Sequence, residues 1–527
     1  MYRTLCYEVT MHRGKHRAEL DRRWLILVVL CVTVFLVVVD NTIVNVALPT
    51  LSERLKATDS DLQWIVDGYS LPFAGLLLAG GALSDRLGRK RVMQTAILAF
   101  GAFSLLAARS TNISELLVSR ALMGSAAAFI FPATLSLLTT TFDDVSQRAK
   151  AFGFWGATSG VAVAFGPIVG GALITHFWFG SIFLVNIPIV LIAFLSVAAV
   201  VPESRAPRPK RFDFVALVLG TSAITLLVFA IIEGPTWGWR AGSTLGLLAL
   251  SGVLLISSVS YELRREEPLL DVRVFANRGF SAGAASIATS FFCLFGFIFL
   301  VTQYFQLIKG YSALSSGVHT LPFAFVTMIA TPLGAVFAIR VGTRYVVSVG
   351  LIIMGAALLW MDTIASNARY LGPVIGSMMI LAVGFSLITA PSTAAIMKSL
   401  RPEQIGAGAA VNETTREIGG TLGVAVIGSV FSSLFTPQVR TALSRLGLTS
   451  RQLDSAQGSM QAAKGVLARL PTTSPAFVHA SRGVTSAFMD GFHRGCLIAA
   501  IAAALMGVAV FQFLPKEAAR KGELVLV

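Results

Sequence analysis

Asp40 stands in an otherwise apolar run, with Val37, Val38 and Val39 before it and Ile43 and Val44 after it. A carboxylate at hydrocarbon depth is costly unless it is paired, hydrated or protonated. Such a group either exchanges a proton as its surroundings alternate or holds a permanent hydrogen bond to a neighbouring helix. Arg120 lies in a second apolar run and stays charged at any working pH. Its partner is Asp40 or an acid in a loop. A third group is Asn412-Glu413-Thr-Thr-Arg416-Glu417. On a helix Asn412 and Arg416 share one face, and Glu413 and Glu417 an adjacent one. Those acids attract a cation, bind a proton or only neutralise Arg416. Asp67, within Trp64-Ile-Val-Asp67-Gly-Tyr69, falls about five residues inside a helix boundary, where water reaches it. Finally, Asp85 sits among Arg86, Arg89 and Arg91 in a turn punctuated by Gly81 and Gly88. A carboxylate held against guanidinium groups at a helix end makes a charge-assisted latch.

The elements that must position these residues are membrane helices. Hydrophobic residues are 55% of the 527-residue chain and charged residues 13%, against about 25% charged in soluble domains. Apolar runs of about twenty residues recur along nearly the whole length, and each is long enough to cross a bilayer. They predict an all-α membrane protein with fourteen spans, at 24–48, 62–84, 91–110, 113–137, 150–172, 179–201, 212–233, 240–261, 279–302, 315–338, 344–365, 370–396, 407–434 and 486–514. The first run is too long for a signal-peptide core and reads as a retained span.

The net charge of +15 is a topology signal, with no nucleic acid implied. About 27 of the 42 Lys and Arg fall in tails and loops on one side, and about six in short loops on the other. The rich side is expected to be cytoplasmic and to hold both termini, as an even number of spans requires. Four scattered cysteines without C-x-x-C, six scattered histidines without H-E-x-x-H, and no G-x-x-x-x-G-K-[ST] leave metal binding, redox chemistry and ATP hydrolysis without support. No nucleophile–base constellation suggests an enzyme.

A weak repeat organises the chain. Arg86-Leu-Gly88-Arg-Lys90 follows the second span and Arg340-Val-Gly342-Thr-Arg344 the tenth. Gly156, Gly160, Gly170 and Gly171 in the fifth span loosely match Gly406, Gly408, Gly419, Gly420 and Gly423 in the thirteenth. This fits two six-helix halves, with the seventh and eighth spans inserted between them. The expected divisions are a basic N-terminus at 1–23, a first half at 24–201, a linker with the inserted pair at 202–278, a second half at 279–514 and a tail at 515–527. Pro207-Arg-Pro209-Lys-Arg211 is the best linker. The 436–485 stretch reads as a long external loop, with a short surface helix or disorder there.

Several of these segments carry a family resemblance. Gly81-x-Leu-x-Asp85-Arg86-x-Gly88-Arg89-Lys90 resembles the signature turn between helices 2 and 3 of the major facilitator superfamily. Asp40-x-Thr42-Ile-Val-Asn45-Val-Ala47-Leu48-Pro49 looks like the first-helix motif of its fourteen-span drug:proton antiporters. Gly160-x5-Gly166-Pro167-x-x-Gly170-Gly171 resembles the helix-5 antiporter motif, and Phe183-Leu-Val-Asn186-Ile-Pro188 and Tyr304-Phe-Gln306 also fit. Arg120-Ala-Leu-Met123-Gly124 is similar to the helix-4 motif associated with protons, with Met123 where Gln is usual. Glu413 and Glu417 stand where the family often has Asn and Gln.

The resemblance implies a proton-coupled antiporter that exports hydrophobic or cationic small molecules across the cytoplasmic membrane. Asp40 and Arg120 would couple protons; Asp67, which stands where a small polar residue is usual, Glu413 and Arg416 are further coupling or substrate candidates by their own chemistry. Asp85, Arg86 and Arg89 would gate the turn, and the helix-5 bend would shape the cavity. Protons and lipid are the expected partners, no cofactor is needed, and a monomer is expected. The rival readings are a dedicated exporter of one metabolite, lipid or siderophore, and a non-transporting membrane sensor or scaffold.

Overall fold

In a computed structural model of the protein, the described residues are all except 1, 143, 206–212, 267, 269–270, 401–404, 469 and 515–527. Side chains are further undescribed for 2–21, 145–146, 148–149, 152–153, 157, 159–160, 164 and 405–410. The Pro207–Arg211 linker, the tail, and the basic side chains at 13–17 therefore lie outside what is described.

The described chain is helical, and fourteen of its helices are long and apolar enough to cross a membrane. The first half comprises α1 (Tyr2–Leu55), α2 (Asp59–Leu87), α3 (Arg89–Ala108), α4 (Ile113–Thr141), α5 (Val145–His176) and α6 (Ser181–Val200). An inserted pair follows, α7 (Phe214–Trp237) and α8 (Gly242–Arg264). The second half holds α9 (Arg278–Ile308), α10 (Ala313–Val341), α11 (Thr343–Asp362), α12 (Tyr370–Lys398) and α13 (Ile405–Leu443). Two short helices, α14 (Ser450–Gln457) and α15 (Met460–Leu467), precede the last span, α16 (Pro475–Phe513). The ends of the helices are set by local chemistry. Thr58 and Asp61 form a capping box for α2, and Asn112, Asp213, Asn277, Ser312 and Ser474 each cap the helix that follows.

The halves repeat one packing scheme. α1 packs on α5 and α2 on α4, as α9 packs on α13 and α10 on α12. The repeat extends to the turns. Gly88 after α2 has φ +114° and Gly342 after α10 has φ +105°, a left-handed region that favours glycine. Close approach rests on small residues in both halves. A Cβ on Gly80 would lie 2.1 Å from Ala128 O, and one on Gly124 2.1 Å from Tyr69 O. Gly419 and Gly423 make the matching approaches to Ala288 and Phe292 of α9.

The end of the molecule bearing residues 85–91 is the turn end, and the opposite one the far end. The contacts given between the halves cluster toward the far end. Gly171 of α5 would carry a Cβ 2.5 Å from Leu314 Cα of α10, and Gly317 one 2.2 Å from Pro167 O. Gln306 Nε2 donates to Val46 O at 2.8 Å, and Ser429 Oγ to Gln63 Oε1 at 3.4 Å.

The 436–485 stretch differs from its reading as a loop. α13 continues to Leu443, with Val439 and Leu443 fully buried, and α14 and α15 form a hairpin whose Ala456, Met460, Ala463 and Leu467 join the core. The hairpin reaches the first half: Asp59 N donates to Gly458 O at 2.7 Å, and Ser52 Oγ to Ser459 Oγ at 3.1 Å. Burial holds the Lys464 ammonium below the usual lysine range, and it donates to Leu307 O. The apolar spacing of 439, 443, 446 and 448 was the visible signal of this order.

Because the Gly124 contact is with backbone, no rotamer change relieves it. Gly124→Ala should separate α2 from α4 and cost about 1–3 kcal/mol. The measurement is thermal unfolding in detergent, and an unchanged midpoint would refute the close-packing account.

Candidate functional site

The centre of the first half is a polar knot in an apolar bundle. Arg120 of α4 and Asp40 of α1 are both 0% exposed, with Nη1 2.8 Å from Oδ2. The other carboxylate oxygen accepts from Asn186 Nδ2 of α6 at 2.7 Å. That amide also donates to Ser104 Oγ of α3 at 2.9 Å, and Ser104 Oγ donates to Phe183 O at 2.8 Å. Arg120 Nε donates to Ile65 O of α2 at 3.1 Å, and the guanidinium carbon lies 4.3 Å from the centre of the Tyr69 ring. Tyr69 OH in turn donates to Val37 O at 3.4 Å. Of the two partners open to Arg120, the structure selects Asp40. Asn186, Ser104 and Tyr69 were not singled out by type. An asparagine inside the apolar run of α6 was the signal available for the first.

The second cluster lies on α13. Arg416 Nη1 is 3.4 Å from Glu413 Oε2, and the guanidinium sits 5.4 Å from the centre of the Phe291 ring of α9. Phe291 packs against Phe295 and edge-on against Phe385 of α12. Asn412 Oδ1 accepts from Thr393 Oγ1 at 3.4 Å. Glu417 is buried on the same helix.

Asp67 is not water-exposed as its position suggested. It is 0% exposed, and neither carboxylate oxygen has a hydrogen-bond partner among the described residues. The boundary argument failed because neighbouring helices cover α2 around this level, α4 at Gly68 and α13 at Gln63 and Leu71.

The turn at 85–91 is a smaller latch than expected. Asp85 pairs with Arg89 at 2.8 Å, whereas Arg86 is exposed and makes no ion pair among the described residues. Its second anchor is Glu203, just after α6, which accepts from Lys90 N at 3.1 Å and lies 3.6 Å from Arg91. Arg89 N also donates to Ser204 O, and Lys90 Nζ to Ala198 O. These partners lie at the end of α6 and in the segment directly after it, so the turn ties α2 and α3 to the C-terminal end of α6. Gly81 lies in α2 near Pro132 of α4.

The glycines of α5 divide. Gly166 and Gly170 face Thr42 and Ile43 of α1, Gly171 and Pro167 meet α10, and Gly160 lies within the helix. Gly156, one of the fifth-span glycines of the weak repeat, is exposed and would carry a Cβ into open space.

Two pseudo-equivalent six-helix bundles, charged groups within the spans and an inserted helix pair define a polytopic membrane carrier. A family model described as Major Facilitator Superfamily matches residues 30–424. The chain is 34% identical over 495 residues to "Multidrug efflux pump LfrA" of Mycolicibacterium smegmatis, covering 93% of this chain and 96% of that protein. It is 34% identical to "Methyl viologen resistance protein SmvA" of Salmonella typhimurium, covering 86% and 90%. It is 32% identical to "Tetracenomycin C resistance and export protein" of Streptomyces glaucescens, covering 78% and 76%. A solved bacterial homolog of the human lysosomal transporter Spinster, described as inward-facing and unoccupied, superposes with a TM-score of 0.62 at 16% identity, covering 94% and 99%. The chain belongs to the major facilitator superfamily.

Removing one member of a buried ion pair strands the other. Arg120→Ala should cost about 3–5 kcal/mol of stability. The pair of changes Asp40→Asn with Arg120→Leu should cost less than the sum of the single changes, because neither charge is then left buried. A double-mutant cycle on detergent-solubilised protein checks this, and strict additivity would refute the coupling.

Proposed function

We propose that this protein exports hydrophobic or cationic small molecules across the cytoplasmic membrane in exchange for protons. The turn end and both chain termini, 1–23 and 515–527, face the cytoplasm, following the excess of basic residues there. The observation that carries the reading is the Asp40–Arg120 pair, held at 2.8 Å with no exposure in the middle of a membrane helix. A proton bound at Asp40 removes one charge of that pair and releases Arg120 Nη1 from an ionic partner. The helix contacts at Ile65 O and Tyr69 then have to readjust. Binding and release of a proton at one carboxyl thereby change how α1, α2 and α4 fit together.

Glu413, paired with the Arg416 that lies over Phe291, and Glu417 on the same helix supply what a lipophilic cation needs: negative charge for its charge and an aromatic face for its apolar body. Asp67 is a further acid for the same exchange, and Arg416 restrains Glu413 until substrate arrives. The names of the relatives, which speak of multidrug efflux and of resistance to methyl viologen, support this substrate class. The driving force is the proton gradient, with about 2.3 kcal/mol per charge per 100 mV available. The protein acts as a monomer, without cofactor and without catalysing a covalent reaction.

Inverted membrane vesicles energised by a proton gradient should take up a cationic dye, and a protonophore should abolish the uptake. Asp40→Asn at matched expression should abolish it as well. Gradient-dependent uptake that survives Asp40→Asn would move coupling to Asp67 or Glu413. Wild-type vesicles that take up no tested cation would overturn the multidrug reading in favour of a single-cargo exporter.

A further inference from the structure

At the far end of the second half, α11, α13 and α16 enclose a cavity of about 440 Å³. Asp362 at the end of α11, Gln438 of α13 and Asp490, His493 and Arg494 of α16 line it. A second cavity of about 450 Å³ continues it past Asp490 and His493. His493 is already committed, since its Nε2 donates to Ile364 O at 2.9 Å and so ties α16 to the segment after α11. The charged side chains are not. Those of Asp362, Asp490 and Arg494 make no ion pair and no hydrogen bond among the described residues. Asp490 and Arg494 are four apart on one helix, a spacing at which opposite charges commonly pair. Here both are exposed, and each is left for another partner.

Depth along α16 orders these charges. Asp490, Arg494, Ile501, Leu505 and Val508 are all exposed and, at helical spacing, share one face. From the far end inward, that face presents a carboxylate, then a guanidinium about 6 Å deeper, then an apolar stripe. Trp360, 39% exposed and two residues before Asp362, marks this level as the boundary between hydrocarbon and water. α11 ends here, and the negative end of its peptide dipoles adds to the charge of Asp362. The matching ligand has an ammonium outermost, a phosphate one step in and hydrocarbon beyond. That is the order of groups in a phospholipid with an amine headgroup. The kind of amine is selected as well. A primary ammonium donates three hydrogen bonds to carboxylates, and a trimethylammonium donates none.

We infer that this face of the second half binds one phosphatidylethanolamine molecule from the leaflet at the far end. Its ammonium lies between Asp490 and Asp362, its phosphate on Arg494 and its acyl chains along the stripe of α16. A soluble zwitterion with the same headgroup satisfies the charges alone. The apolar stripe, continuous with them on one helix face, assigns the site to the lipid. The site is built from α11, α13 and α16, apart from the Asp40–Arg120 pair and from Glu413, and the inference does not draw on the export reading.

The test titrates purified protein in detergent with palmitoyl-oleoyl phosphatidylethanolamine and with the corresponding phosphatidylcholine and phosphatidylglycerol. Native mass spectrometry counts the lipid retained, and the shift in thermal unfolding gives its apparent affinity. One phosphatidylethanolamine should be retained, bound about ten-fold more tightly than either other lipid, as a hydrogen bond to a charged group provides. Asp490→Asn should weaken that preference several-fold. Exchanging the charges, Asp490→Arg with Arg494→Asp, keeps the net charge and should remove it. Asp454→Asn, an exposed acid on α14, should leave it unchanged. Equal affinity for the three lipids would overturn the site. So would a preference that survives both Asp490→Asn and the exchange in variants whose lipid-free unfolding midpoint matches wild type. Equal protection by glycerophosphoethanolamine, the headgroup without chains, would overturn the lipid assignment in favour of a soluble zwitterion.

Discussion

One ion pair organises the first half of this protein. Asp40 and Arg120 have left water for an apolar interior, and a pair so placed is tolerated only if nearly every lone pair and proton around it finds a partner. The chain meets that demand by drawing on five helices. α1 supplies the carboxylate, α4 the guanidinium, α6 the Asn186 amide, α3 the Ser104 hydroxyl and α2 the Ile65 carbonyl and the Tyr69 ring. Each bond restricts the rotation and depth of its helix, so these five helices are fixed against one another. The second half has no equivalent among its described residues. Arg416 and Glu413 pair at 3.4 Å, partly exposed, with the guanidinium leaning on Phe291. The halves share a backbone plan and differ in where they keep their charge.

What joins the halves is of another kind. Across the α5–α10 seam, Gly171 and Gly317 admit the backbone of the opposite helix to van der Waals contact. Individual contacts of this sort are weak, and the sum depends on shape. They are supplemented by a few hydrogen bonds, such as Gln306 to Val46 O, and by the α14–α15 hairpin, anchored on the second half and touching Ser52 and Asp59 of the first. Strong bonds inside a half and weak ones between halves are what rigid-body rocking requires. The 85–91 turn follows the same division, since Asp85, Arg89 and Arg91 lie in the first half and Glu203 in the segment directly after α6.

Much of this was legible in the sequence because membranes leave few options. Apolar runs of fixed length dictate spans, and the backbone must satisfy itself within them. All fourteen expected spans have a counterpart, and the glycine after the second and tenth spans takes the same left-handed conformation in both, as the weak repeat implied. Side-chain partners were less legible. Nothing local distinguishes Asp40 from a loop acid as the mate of Arg120, because the two meet through helix packing across 80 residues. Asp67 misled for the opposite reason. Distance from a helix end measures depth along the axis, and burial there was decided by the neighbours α4 and α13. In the 436–485 stretch the apolar spacing at 439–448 left a short surface helix or disorder open, and tertiary burial of Met460, Ala463 and Leu467 decides for helices.

The acids now fall into three environments that carry unequal costs. Asp40 has both oxygens bonded, so changing its charge disturbs several helices at once. Glu413 faces one guanidinium at the edge of an aromatic surface, so a competing cation can displace that contact with little rearrangement. Asp67 is enclosed and has no hydrogen-bond partner among the described residues, and a buried polar group in that condition carries an unrecovered desolvation cost. Any arrangement of the halves that supplies a donor or water to Asp67 lowers its energy. The far-end contacts between α2 and α13 hold it where it is. The far-end closure therefore carries an unfavourable contribution at Asp67 beside its favourable contacts. A carrier needs that balance, since a state that is too stable does not turn over.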